Sequence, residues 1–298
     1  MRIAIAGASG LIGTALVSHL GSAGHQVIRL VRDSTARGED ARYWNPATGD
    51  IDDDAFDGVN AVVNLAGAGI GERRWSQRRK RELRLSRVDA TELLVEAMAA
   101  ADDPPSALVA GSAVGFYGDR GDDVLDEQSG PGTGFLATLT ADWEAAANSA
   151  SSAGIRVALA RTGLVVSDNA SFLTRMLPLF KLGLGGPLGD GRQWWPWIAL
   201  EDEVRALAFL LEADIAGPVN LCSPNPATNR EFTRALASVL RRPAALPVPR
   251  FGPRLLLGKE LADGLLFSST RAHPTALADA GFQFRFPDLQ PVLEEALS

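Results

Sequence analysis

Apolar and polar positions along the first 165 residues switch between two periods. Short apolar runs read as buried strands: "RIAIA" (2–6), "QVIRLVR" (26–32), "NAVVNLAG" (60–67), "SALVAGSA" (106–113) and "IRVALART" (155–162). Between them lie stretches of helical period. "LIGTALVSHLGSAGH" (11–25) predicts a helix stopped by Gly24. One long helix is predicted over 76–101, with Val88, Thr91, Val95 and Met98 along one face, and another over "FLATLTADWEAAANSA" (135–150). The βαβα alternation predicts a Rossmann-type, doubly wound parallel sheet with helices on both faces.

After about residue 165 the pattern loosens. A Gly/Trp-rich stretch, "GGPLGDGRQWWPWIALEDEVRALAFLLE", leads into a helix from Glu201. "PVNLC" reads as a strand, "NREFTRALASVL" as a helix, and the tail as short helices joined by Pro and Gly turns. The expected division is a dinucleotide-binding domain over 1–165, interleaved with later segments, and a smaller α+β substrate-side and C-terminal domain over 166–298.

The chemistry begins at the first strand-to-helix turn. "AGASGLIG" spaces Gly7, Gly10 and Gly13 by three. In a dinucleotide site the first glycine permits the tight turn, the second lets the backbone approach a pyrophosphate, and the third lets helix and sheet pack closely. The following helix presents unpaired N–H groups and its positive dipole end. A purely structural turn is the alternative. The second strand ends "RLVRD". An acid there would grip the adenine ribose diol; Val31 cannot, and Arg32 suits a 2′-phosphate, so NADP(H) is expected rather than NAD. In the competing reading Arg32 is merely solvated and Asp33 binds the ribose.

Composition narrows the classes. A net charge of −7 disfavours nucleic acid. The single cysteine, Cys222, excludes an internal disulfide and suits a reducing cytoplasm. No apolar run is long enough to span a membrane, and the three scattered histidines with no Cys-x-x-Cys suggest no metal site.

"GASGLIG", "VVNLAG", "SAVGFYGD" and "ALARTGLVV" together resemble the extended short-chain dehydrogenase/reductase superfamily, relatives of the sugar-nucleotide epimerases. Nearly the whole chain resembles one atypical subfamily with its own short C-terminal domain. The resemblance implies that Gly7, Ser9, Gly10, Leu11 and Ile12 cradle the cofactor, that Leu65, Ala66 and Gly67 pass its adenosine, and that Thr162 and Gly163 pass its nicotinamide. It also implies a small carbonyl, hydroxyl or sugar-nucleotide-like substrate, and a homodimer through an amphipathic helix such as that around Val88–Met98.

The superfamily's proton relay is missing. Tyr-x-x-x-Lys lowers a phenol pKa through an adjacent ammonium one helical turn away. Here Ala47 follows Tyr43 and Gly121 follows Tyr117 at that spacing, and Phe135 and Leu139 stand where the pair belongs. Ser112 and Tyr117 remain as candidates for handling the proton, with Arg87 as a candidate cation if its helix faces the cofactor. Asp119, Asp142 and Glu144 are alternative acids or bases, with solvated helix faces as the plainer reading. Trp194, Trp195 and Trp197 either wall a substrate pocket or plug a seam, and the subfamily's histidine after "WI" is Ala199 here. Two functions follow: an NADP(H)-dependent, epimerase-like oxidoreductase, or a non-catalytic NADP(H)-binding sensor. An open polar cavity by the nicotinamide would mark the first; one filled by Phe135, Leu139 and the tryptophans would mark the second.

Overall fold

A computed structural model describes residues 1–298. In chain order the strands are β1 (Arg2–Ala6), β2 (Gln26–Val31), β3 (Ala41–Asn45), β4 (Asp50–Ile51), β5 (Ala61–Asn64), β6 (Ala107–Ala113), β7 (Val124–Leu125), β8 (Arg156–Thr162), β9 (Leu164–Val166), β10 (Trp194–Trp195), β11 (Trp197–Ala199), β12 (Gly217–Leu221), β13 (Ala227–Thr228) and β14 (Arg271–Ala272). The helices are α1 (Leu11–Ser22), α2 (Gln77–Leu85), α3 (Val88–Ala100), α4 (Phe135–Asn148), α5 (Ser171–Lys181), α6 (Leu200–Glu212), α7 (Asn229–Leu240), α8 (Phe251–Leu257), α9 (Lys259–Leu265), α10 (Thr275–Asp279) and α11 (Leu289–Ala296).

Eight strands form one sheet in the order β12-β8-β6-β5-β1-β2-β3-β4, and every pairing is parallel except β3 with β4. The chain winds outward from β1 to β4, crosses back to β5 and winds outward the other way. The switch point therefore lies between β1 and β5, and ligands of such sheets bind outside the strand ends there.

The period-two alternation sorts the core. Ile3, Ile5, Val63, Val109, Ala158 and Ala160 pack toward α1 and α6. Ala4, Ala6, Val62, Leu108, Val157 and Leu159 pack toward α3 and α4. Carried one step further, the alternation sends Ser112 and Arg161 to the α4 face and Thr162 to the α6 face. A second core, with Trp195, Trp197, Phe232, Leu236 and Leu293, lies beneath α5, α7 and α11.

Two expectations need correcting, one pair of strands went unpredicted, and one open alternative is decided. The single helix over 76–101 is two helices, because the chain breaks at Ser86 and Arg87, where Arg87 has φ −119° and ψ −62°. Both side chains turn away to bond the loop after β5. Strands β3 and β4 went unpredicted: they alternate poorly and pair as a hairpin whose turn contains Gly49 at φ 76°. Val88, Thr91, Val95 and Met98 are not free to meet a partner. All four are 5% exposed or less, inside the protein's own core. Finally, of the two readings left open for the tryptophans, Trp195 and Trp197 take the buried one, Trp195 edge-on to Phe232 at 5.5 Å, and only Trp194 reaches the surface, with its ring under Arg271.

Candidate functional site

The three glycines have different reasons to be glycine. Gly7 has φ 83°, and a Cβ there would stand 2.7 Å from the Leu65 backbone. A Cβ on Gly13 would stand 2.1 Å from the Gly7 carbonyl oxygen. Gly10 has ordinary dihedrals, and a Cβ there would meet that oxygen at 3.4 Å, a normal contact. The protein's own packing needs no glycine at position 10. The bare backbone there leaves a cradle at the exposed N-terminus of α1, which no side chain caps. Ser9, Leu11 and Ile12 complete this turn, with the amides of the first helical turn facing outward.

At the end of β2, Asp33 is committed to its own turn. Its Oδ1 accepts from the Thr35 backbone N–H at 2.9 Å and from the Thr35 hydroxyl at 2.7 Å. Those two bonds hold its carboxyl below the usual aspartate range. Arg32 is exposed beside it and forms no ion pair.

The exit of β5 is shaped by buried polar groups. The Asn64 amide donates to Thr91 Oγ1 at 2.9 Å, and its Oδ1 accepts from the Ala66 N–H at 3.1 Å. Trp143 Nε1 donates to the same threonine oxygen at 2.9 Å. The Arg87 guanidinium lies against Gly67, where a Cβ would come within 3.0 Å of it. It donates to the Ala68 carbonyl oxygen at 3.0 Å and stacks 5.3 Å from the Trp143 ring centre. No carboxylate pairs with it, and burial lowers its pKa to about 10. Arg79, on α2, is buried and donates to the Gly69 carbonyl oxygen at 2.6 Å.

Across the switch point, the ends of β6 and β8 carry a closed polar network. Ser112 Oγ donates to Glu144 Oε1 at 2.6 Å. Arg161 grips the same carboxylate with two bonds of 2.8 Å. Its remaining nitrogen donates to the Tyr117 hydroxyl at 2.9 Å, and its plane lies 3.6 Å from the Phe116 ring centre. Glu144 is thus no solvated helix-face acid.

The Tyr117 hydroxyl in turn donates within a pair of acceptors, Asn220 Oδ1 at 2.7 Å and the Asp126 carbonyl oxygen at 2.9 Å. Tyr117 is completely buried, and burial pushes its pKa up to about 12, against the partial pull of Arg161. The expectation that Tyr117 exchanges a proton with substrate is corrected by this placement: the hydroxyl faces inward, fully bonded and too weak an acid.

On the other sheet face Thr162 Oγ1 donates to Glu203 Oε1 at 2.8 Å. Glu203 is fully buried and its second oxygen has no partner. Burial pushes its pKa up to about 8, only partly offset by Thr162, so the carboxyl is neutral at pH 7. Sequence reasoning missed Arg161 and Glu203. Both had a signal: a charge inside an otherwise apolar strand, and an acid on the same helical face as Leu207 and Leu210.

The positions of the absent pair are apolar in space as in sequence. Leu139 is buried with Leu83, Val88 and Trp143, and Phe135 packs edge-on to Trp75 at 5.1 Å. Lys80 stands over the Phe135 ring at 5.0 Å, and its ammonium is paired with Glu260 at 2.5 Å.

This fold and glycine cradle define a nucleotide-binding Rossmann protein. More closely, residues 3–222 match the NAD dependent epimerase/dehydratase family, and the chain belongs to it. Residues 248–296 match a domain of unknown function, DUF1731. An epimerase family protein of Mycobacterium bovis is 49% identical over 95% of this chain and 93% of its own length. The bovine epimerase family protein SDR39U1 is 35% identical, with both chains fully covered. The crystal structure of human SDR39U1 with NADPH superposes with a TM-score of 0.88 at 32% identity, covering 99% of each chain. No helix here is long and apolar enough to cross a membrane.

Proposed function

We propose that this chain binds NADP(H) across the ends of β1, β2 and β5, and that it does so as a dinucleotide-responsive protein without a tyrosine–lysine relay. The dinucleotide reading is supported by Gly10, a glycine that the fold itself does not require, beside the uncapped α1 terminus. The preference for NADP(H) is supported by Arg32, free at the strand end where Asp33 is occupied, and by NADPH in the human relative's structure. In this reading the backbone at Leu65, Ala66 and Gly67 lies beside the adenosine, Arg87 gives that loop a positive charge, and Thr162 and Gly163 border the nicotinamide. The observation that carries the rest is the wall of Phe135 and Leu139 together with the inward-facing Tyr117.

When bound, NADPH supplies a hydride. What the chain lacks is a group to supply the matching proton at the tyrosine position. A second reading, an oxidoreductase acting on a small carbonyl or hydroxyl substrate, rests on Ser112. Its hydroxyl proton is committed to Glu144, which leaves the serine oxygen to accept from a substrate hydroxyl.

Fluorescence titrations with NADPH and with NADH test the first reading. Tighter binding of NADPH, lost in Arg32→Glu, supports it; equal or tighter binding of NADH overturns the phosphate assignment. Turnover decides between the two readings. Reduction of NADP+ by a panel of small alcohols, with the hydroxyl proton passing through Ser112 to Glu144 and abolished in Ser112→Ala, would replace the first reading with the second.

A further inference from the structure

Helix α7 carries Arg230 and Arg234 on one face, and the chain leaves it through Arg241 and Arg242. All four line one open cavity of about 650 Å³, which Pro187 borders from the loop after α5. That volume suits a ligand of nucleotide size. None of the four takes part in any of the chain's ion pairs. The Arg230 guanidinium donates only to the Asp190 carbonyl oxygen. Guanidinium groups keep their charge at all ordinary pH values, so four of them around one cavity repel each other and attract an anion, even on a chain of net charge −7.

A second, independent feature points to the same place. Thr233 also lines the cavity, is fully buried, and its hydroxyl has no hydrogen-bond partner in the protein. A buried hydroxyl is normally bonded, and an unpaired one is a cost that a ligand oxygen would relieve. Arg241 adds to this. It is the one non-glycine residue with positive φ, 52°, at the helix stop where glycine is the usual residue.

We propose that this cavity is a second ligand site, separate from the dinucleotide crevice, for a small molecule bearing two or more phosphate groups. Arginine forks match phosphate oxygens in pairs, and Thr233 completes the set. No residue of the site belongs to the glycine loop, to the end of β2 or to the ends of β6 and β8.

Isothermal titration of the full chain with inorganic pyrophosphate, NADPH being present throughout, tests this. Binding is expected, weakened by roughly tenfold or more in Arg234→Glu/Arg241→Glu as charge-assisted bonds are lost. The milder Arg234→Gln/Arg241→Gln should weaken it in the same direction, with circular dichroism confirming that both variants fold. NADPH affinity should not change in either. Absence of binding, or a titration unchanged in both variants, overturns the proposal. A phosphorylated lipid headgroup has the same chemistry. Retention on phosphatidylinositol bisphosphate vesicles, lost in the double variants, would assign the site to a lipid source, and pyrophosphate binding without retention to a soluble one.

Discussion

Glu144 and Glu203 approach the end of β8 from opposite faces of the sheet, and both are buried. Glu144 meets Arg161 in two bonds and Ser112 in a third. Glu203 meets only the Thr162 hydroxyl and keeps one oxygen unpaired. The residue type is the same, yet one side carries a compensated ion pair and the other a neutral acid. The strand alternation decides this: Arg161 points to one face and Thr162, next in sequence, to the other. A buried carboxylate is tolerable with a guanidinium in reach; without one, the cheaper solution is to keep its proton.

The largest expected effect breaks the compensated side. Arg161→Met leaves Glu144 buried and unpaired, and such losses cost about 3–5 kcal/mol. Urea denaturation at pH 7 should show the midpoint falling accordingly. A midpoint within error of the parent would mean that water already reaches Glu144.

The other side is sharpened by pH. The folded-state pKa of Glu203, about 8, lies above the ordinary value of 4.5. The folded protein therefore binds the extra proton, and its contribution to stability is full below about pH 4.5 and lost as pH rises toward 8. The slope is about 1.4 kcal/mol per pH unit within that window. Glu203→Gln mimics the neutral acid and removes the slope. The variant should match the parent near pH 4.5 and exceed it by about 3 kcal/mol at pH 7, with the gap growing toward pH 8. Parallel stability curves across that range would refute the neutral-acid assignment.

Tyr117→Phe tests whether the network is structural. Removing the hydroxyl leaves an Arg161 nitrogen and Asn220 without their partner, a cost of about 1–3 kcal/mol. NADPH affinity and any turnover should survive in the folded variant. Loss of turnover at unchanged stability would restore the tyrosine to the chemistry.

The sheet was legible because its strands are short apolar runs and its helices carry clear period. The glycine turn was legible because the positive φ at Gly7 and the close approach of Gly13 to the Gly7 oxygen both demand glycine at fixed spacing. The break at Ser86 and Arg87 was not, since nothing local in "LRLSRVDA" opposes a helix; the cause is a loop eighteen and nineteen residues away in sequence. Ser112, Glu144, Arg161 and Tyr117 come from β6, α4, β8 and the turn after β6. Their meeting is a property of strand order, and no one of them shows in sequence which of the others it will touch. Tyr117 was misjudged for that reason: the sequence shows that it lacks a lysine, but not that Arg161 and Asn220 hold it inward.

The smallest stability effect is the most informative about the ligand. Gly10→Ala places a methyl at an ordinary 3.4 Å from the Gly7 oxygen, in a backbone conformation open to alanine. Stability should move by no more than about 0.5 kcal/mol, as for changes away from packed features. Gly13→Ala meets that oxygen at 2.1 Å, must shift α1 against the sheet, and should destabilise clearly. NADPH binding separates the two again. The methyl at position 10 occupies the space where a pyrophosphate would run, so NADPH affinity should fall by about tenfold or more in a protein that melts like the parent. Unchanged NADPH affinity in Gly10→Ala would mean that the phosphates do not pass over this turn, and the cradle would then be a feature of the fold alone.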